Sequence, residues 1–204
     1  MSSEMTMPPA PGPKSPFDIG EIVSTAWKLF AANPTTHIVA ALIYFGLTLV
    51  TCGLAVLVMG VLMAGVTVMG LKGLRGEPVE ISDAFAGFGE HFGQLFLMGI
   101  VLLVFVLVGT ILCILPGIYA MLVFSLATPL IIDRRLGFWD AMMTSARVFH
   151  DNLGPMLLAT LVLYLINVVG SSIPLGFLIA QPLWLLGTTV LYARIYGLTP
   201  QQAA

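Results

Sequence analysis

Asp, Glu, Lys and Arg occur along the chain only within 1–28, 72–90 and 133–151 and at Arg194, which leaves three charge-free blocks, 29–71, 91–132 and 152–193. A continuous helix of about 42 residues would be about 63 Å long, twice the roughly 30 Å of a bilayer's hydrocarbon core. Each block therefore fits two spans and a tight turn. Helix-breaking residues stand near each midpoint: Thr51-Cys52-Gly53, Leu115-Pro116-Gly117, and the run Ser171 to Gly176 with Pro174 inside it. The expected fold is an all-α membrane protein of six transmembrane helices in three hairpins, with spans near 36–52, 54–71, 94–114, 117–132, 153–170 and 175–193. The first block has the shortest apolar run, His37–Leu71, or about 17 residues per leg, the low end for a crossing helix. A hairpin that dips in and returns is the alternative there.

Composition closes off the soluble alternatives. Hydrophobic residues make up 58% and charged residues 9%, against about 25% charged in an ordinary soluble domain. Eight Lys and Arg against ten Asp and Glu give a net charge of -2, so there is no basic field to attract nucleic acid. Each hairpin returns to its starting side, which puts all the Lys and Arg on one face. The positive-inside rule makes that face cytoplasmic, with both termini on it and the chain in the cytoplasmic (inner) membrane. Residues 1–16, MSSEMTMPPAPGPKSP, are Pro-rich and polar; a flexible tail is expected rather than a cleaved signal. A single membrane domain, 17–200, follows.

An ungapped superposition of 17–33 on 136–152 matches Glu21 with Asp140, Thr25 with Thr144, Lys28 with Arg147, Phe30 with Phe149 and Asn33 with Asn152. Residues 79–95 fit more loosely, with Asp83 at the acidic and Phe92 at the aromatic position. The inference is a threefold repeat of about 60 residues, with units 17–74, 79–133 and 136–194. Each unit is an amphipathic interfacial helix followed by a hairpin. In the first helix Ile19, Ile22, Val23, Ala26, Leu29 and Phe30 form an apolar stripe opposite Asp18, Glu21, Thr25 and Lys28. In the third, Phe138, Ala141, Met142, Ser145 and Phe149 oppose Asp140, Thr144, Arg147 and Asp151. Trp27 and Trp139 suit headgroup depth. Such helices lie at the interface or simply cap the bundle.

Chemistry inside the spans is sparse. An ion-coupled transporter carries an intramembrane charge or His; here only His37 qualifies, at a span edge, and an interfacial place is expected for it. Membrane hydroxyls usually bond their own helix or a neighbour. Asn167 and Gln181 need amide partners and are expected to pair with each other or to line a polar cavity. Gly60-x3-Ala64, with Thr67 on the same face, permits close helix approach, most simply internal packing. Cys52 and Cys113 sit in apolar runs without metal-ligand spacing and are read as unpaired small hydrophobes. No HExxH, GxSxG or Walker loop occurs, and Ser145, His150, Asp140 and Asp151 do not share one helix face. No enzyme activity, cofactor or metal is expected.

The candidate functional residues are the cations of the cytoplasmic collar: Lys28, Lys72, Arg75, Arg134, Arg135 and Arg147. Anionic headgroups attract such residues by about 1 kcal/mol each, and a membrane-protein partner or a second copy of the chain is the other candidate. Nearby acids, notably Glu21, Asp133 and Asp140, offer them internal partners instead.

A family resemblance runs through residues 70–145. Gly70-Leu71-Lys72 leads to Arg75-Gly76-Glu77-Pro78, then Ser82, Phe85 and Phe88. Leu115-Pro116-Gly117-Ile118-Tyr119 follows, then Ala127, Pro129-Leu130-Ile131-Ile132-Asp133, Leu136-Gly137, Asp140-Ala141 and Ser145. This pattern resembles a bacterial membrane-protein family that includes the membrane domain of some glycerophosphodiester phosphodiesterases and its free-standing relatives. The resemblance implies a six-span protein of the cytoplasmic membrane. It implies no activity, because phosphodiester chemistry in the fused members belongs to a separate soluble domain. The expected function is a non-enzymatic accessory, scaffold or lipid-interacting component; the alternative is a small-solute or lipid transporter. A transporter is expected to show a solvated mid-membrane cavity bordered by broken helices, and a scaffold to be packed shut.

Overall fold

The computed structural model describes residues 18–50, 59–112 and 114–198. Cys52, Cys113 and the Thr51–Gly53 turn lie outside the described residues. Everything regular within them is helical.

Helix α1 (Ile19–Ala32) opens on Asp18, whose Oδ1 accepts from the Glu21 amide at 3.1 Å, a side-chain N-cap. Pro34 then starts α2 (Pro34–Val50), where its missing N–H is harmless. The axis turns by 90° between the two. Helix α3 (Met59–Arg75) carries Lys72 and Arg75 in its last turn, a favourable place for cations. It ends at Gly76, whose φ of 72° is the left-handed stop that glycine adopts freely. A 3₁₀ helix (Ile81–Phe88) follows, its start held by a capping box in which the Glu80 amide donates to Asp83 Oδ2 at 2.9 Å. Then come α4 (Phe92–Leu112), α5 (Ile114–Val123), α6 (Ala127–Arg134), α7 (Phe138–Asp151), α8 (Leu153–Ser171) and α9 (Phe177–Ile195).

Four stretches are long and apolar enough to cross a membrane: Phe92–Gly109, Pro116–Arg134, Leu153–Ser171 and Phe177–Ile195. The bent α1–α2 pair is a fifth candidate. This is the pattern of a multi-pass membrane protein. Helices α2 and α3 have 17 residues each, at the short end for a span.

The helices divide into an inner and an outer set. Of the α9 stretch 72% is buried, but only 22% of the α4 and α8 stretches. Val104, Leu107 and Val108 on α4, and Leu158, Leu165 and Val169 on α8, are all at least half exposed. In water such faces would be an aggregation hazard; in hydrocarbon they are an ordinary outer surface. Helix α3 is inner, packed on α6 and α9, and glycines on it and on the 3₁₀ helix let α4 and the 3₁₀ helix approach it closely. A Cβ on Gly60 would stand 2.6 Å from the Leu95 carbonyl of α4, and one on Gly87 would stand 2.0 Å from the Val61 carbonyl. The Gly60–Ala64 face is thus spent on internal packing.

Three expectations change in detail. The α4–α5 and α8–α9 pairs are close hairpins, but α2 packs chiefly on α9 and only sparsely on α3. The segment 79–95 is not one amphipathic helix: a 3₁₀ helix ends at Gly89 and α4 begins afresh at Phe92, because Gly87 and Gly89 let the backbone press on α3 and turn. The span expected over 117–132 is interrupted at Phe124–Leu126, where Pro129 has no N–H to offer the Ser125 carbonyl. The apolar stripes of α1 and α7 turn into the protein, burying Ile22, Ala26 and Phe30 on one and Ala141, Met142, Ser145, Val148 and Phe149 on the other. The tips expected at headgroup depth point out, with Trp27 and Trp139 each 51% exposed.

Candidate functional site

At the charged end of the bundle, polar side chains converge from several elements. Asp133, in the last turn of α6, has a side chain only 9% exposed. Arg75 at the end of α3 binds its Oδ1. Its Oδ2 accepts from the Tyr192 hydroxyl of α9 at 2.5 Å and lies 3.5 Å from Arg134 Nε. That same Nε donates to the Tyr192 hydroxyl at 3.3 Å, and the Arg134 guanidinium lies 5.2 Å from the Tyr196 ring centre. One carboxylate therefore ties the three inner helices together. A charge so buried is tolerated only with opposite charge and hydrogen bonds around it.

Two further pairs flank this hub. Lys72 Nζ meets Asp83 Oδ1 at 2.6 Å, joining α3 to the 3₁₀ helix. The hydrogen bond to Asp83 holds the lysine's pKa above its ordinary value. Arg194 at the end of α9 meets Glu21 of α1 at 2.6 Å. The outermost pair, Arg135 with Glu90 at 3.5 Å, has both side chains 75% exposed, and a pair so wet contributes roughly 0–1 kcal/mol.

The six candidate cations thus fall into groups that the sequence did not separate. Lys72, Arg75 and Arg134 are engaged by acids of the chain, and Arg135 loosely so. Lys28 and Arg147 are exposed and make no ion pair among the described residues. Of the acids named as internal partners, Asp133 serves two of the six; Glu21 pairs with Arg194, outside the six, and Asp140 makes no ion pair among the described residues. Tyr192 and Tyr196 were not anticipated. A tyrosine in an apolar run carries no local signal, and its partner Asp133 lies 59 residues away.

A second constellation joins α7 to the broken span. Ser145, fully buried, donates to the Val123 carbonyl at 2.6 Å and accepts from the Leu126 amide at 3.3 Å. These backbone groups belong to the break between α5 and α6. Beside it His150 Nδ1 lies 2.6 Å from the Ala146 carbonyl, which can only accept, so Nδ1 donates, and Nε2 lies 2.8 Å from the Tyr119 hydroxyl. Ser145 and His150 are each committed to structure and do not meet.

The remaining polar candidates resolve individually. His37, expected at the interface, is 1% exposed: the 90° turn folds α1 over it, and its ring stacks on Phe30 at 5.7 Å. Asn167 and Gln181 do not pair; Asn167 Nδ2 is buried without a partner among the described residues, and Gln181 lines a cavity between α2, α3 and α9. Thr67, Thr160 and Thr189 bond carbonyls one turn back on their own helices. Among the described residues, no three of His, Cys, Asp and Glu gather in a way that would hold a metal ion. Compared with protein-family profiles, with characterised proteins and with solved structures, the chain matches none.

Proposed function

We propose that the chain is a non-enzymatic integral protein of the cytoplasmic membrane, an accessory or scaffold component that grips anionic lipid through its cytoplasmic collar. The carrying observation is that Lys28 and Arg147, which occupy matching positions in the repeat, are the exposed collar cations without an ion pair among the described residues. Lys28 adjoins the exposed Trp27, and Trp139 marks the same end of α7 as Asp140. Arg135 joins them as a weakly held third.

The architecture within this reading is six spans in three repeat units, with both termini in the cytoplasm. It is supported by the pairing of the repeat-equivalent acids Glu21 and Asp83, each with a base near the end of an inner helix, Arg194 and Lys72. The likeness to the membrane domain of glycerophosphodiester phosphodiesterases belongs to the same proposal. A transporter is the second reading, favoured by the α5–α6 break, since broken helices border transport sites. It ranks second because Leu126, Leu130, Ile131, Leu186 and Leu191 fill the interior at 0% exposure.

The test is lipid preference. In nanodiscs, brominated phosphatidylglycerol is expected to quench tryptophan fluorescence more than brominated phosphatidylcholine, and Lys28→Ala with Arg147→Ala is expected to abolish the difference without changing the thermal midpoint. Equal quenching by both lipids in the unmodified protein would overturn the headgroup assignment.

A further inference from the structure

Among the described residues, helices α2 and α3 each pack against α9 yet barely touch each other. The space that a tight α2–α3 hairpin would close is a cavity of about 150 Å³, walled by Ala41, Tyr44, Met63, Val66, Pro182 and Leu185, with Gln181 at its side. A cavity of that size with such walls stays dry and accepts a benzene-sized apolar guest. At one edge the rings of Phe45 and Phe177 lie 4.8 Å apart, and Phe45 is 44% exposed on the outer surface of the bundle. What enters from that side enters from the hydrocarbon.

The polar groups at the cavity add a second requirement. The Tyr44 hydroxyl is already used, donating to the Ala84 carbonyl at 2.8 Å. The Gln181 amide makes no hydrogen bond within the described residues, and the next residue, Pro182, deprives the Leu178 carbonyl of its helical donor. An amide without a partner in hydrocarbon costs free energy, so an occupant that offers an acceptor is favoured over a plain alkane. Depth narrows the choice. Gln181 lies in the second turn of α9, about 20 Å along the helix from the collar residue Arg194, and so toward the leaflet remote from the collar. A glycerolipid of that leaflet carries its ester at the outer edge of the hydrocarbon, beyond Gln181, and its chain runs inward past it.

We propose that this cleft holds the ester-proximal segment of one acyl chain of a glycerolipid from the far leaflet, with the ester carbonyl accepting a hydrogen bond from the Gln181 amide and the chain lying along Met63, Val66 and Leu185. The proposal rests on the membrane-spanning reading but not on the headgroup assignment at the collar.

The full chain in phosphatidylcholine nanodiscs, doped with phosphatidylcholine bearing a mid-chain diazirine, is irradiated and its adducts mapped by mass spectrometry. Adducts are expected on Met63, Val66 and Leu185 as well as on the outer faces of α4 and α8. Ala41→Phe, which fills the cleft, is expected to remove the first set and leave the second. Gln181→Leu, nearly equal in volume, is expected to weaken cleft labelling about two- to tenfold, the net worth of one hydrogen bond. Labelling of α4 and α8 without the cleft, or cleft labelling indifferent to Ala41→Phe, overturns the proposal and leaves the membrane reading standing. Cleft labelling indifferent to Gln181→Leu overturns the ester contact. A protein that takes no label anywhere is not embedded, and the membrane reading itself fails.

Discussion

Ser145 and Val123 are bound through a 2.6 Å hydrogen bond from a hydroxyl of α7 to a carbonyl at the end of α5, and the same oxygen accepts from the Leu126 amide that opens the next segment. One side chain thus satisfies both sides of a backbone break where lipid offers no substitute. Ser145→Ala is expected to lower stability by about 1–3 kcal/mol, the cost of buried polar groups left unpaired. Thermal unfolding in detergent micelles measures it. A midpoint equal to that of the unmodified protein would show that the break is satisfied some other way.

Neighbouring arginines are expected to behave differently. Arg134 touches Asp133, Tyr192 and Tyr196 with a side chain 27% exposed, whereas Arg135 is 75% exposed and pairs only with Glu90. Arg135→Ala is expected to be neutral for folding, within about 0.5 kcal/mol. Arg134→Ala is expected to destabilise, and Tyr192→Phe to cost about 1.5–3 kcal/mol as a lost hydrogen bond to a charged group. A double-mutant cycle between Arg134 and Tyr192 reads their coupling; additive effects would show that the hub is not a unit.

Alkaline titration isolates Lys72. Its pKa is raised above 10.5 in the fold by Asp83, so the folded state holds this proton more tightly than the unfolded one. The stabilisation is fully present below the ordinary lysine value and is lost as pH rises through the raised one. The difference in midpoint between the unmodified protein and Lys72→Met is therefore expected to be constant from neutral to mildly alkaline pH and to shrink beyond it. A difference that grows with pH would reverse the sign of the argument.

Topology is testable at one exposed position. Ser172 lies on the exposed connection between α8 and α9, remote in sequence from the collar. A cysteine there is expected to react with a membrane-impermeant maleimide on intact cells, while reporters fused at either terminus are active only in the cytoplasm. Termini reporting from opposite sides would mean an odd number of crossings, and both reporting from outside would reverse the orientation.

The helical class and its apolar faces were legible because they depend on local pattern. The stripes read from 17–33 and 136–152 include every residue buried on α1 and all but Val148 on α7, since 3.6-residue periodicity needs no knowledge of the partner. The α5–α6 interruption was harder: Pro129 stands in an apolar run, and only a serine sixteen residues later makes the break affordable. Among the collar cations the sequence offered no way to separate Arg134 from Arg147. Their fates turn on tertiary partners, a tyrosine on a distant helix for one and open surface for the other. The cleft at Gln181 was half visible, as an amide in need of a partner. That α2 would lean on α9 and leave a cleft beside α3 has no local signature.

The contact between Glu21 and Arg194 has a consequence for how the protein is made. Helix α1 leaves the ribosome long before α9, yet α9 is its main packing partner. Arg194 is the final charged residue of the chain. Until α9 emerges, the face of α1 that carries Ile22, Ala26 and Phe30 lacks its main partner and must wait at the bilayer surface or in the hold of a chaperone. Closure of that face waits on α9, and a chain stopped short of α9 leaves it bare.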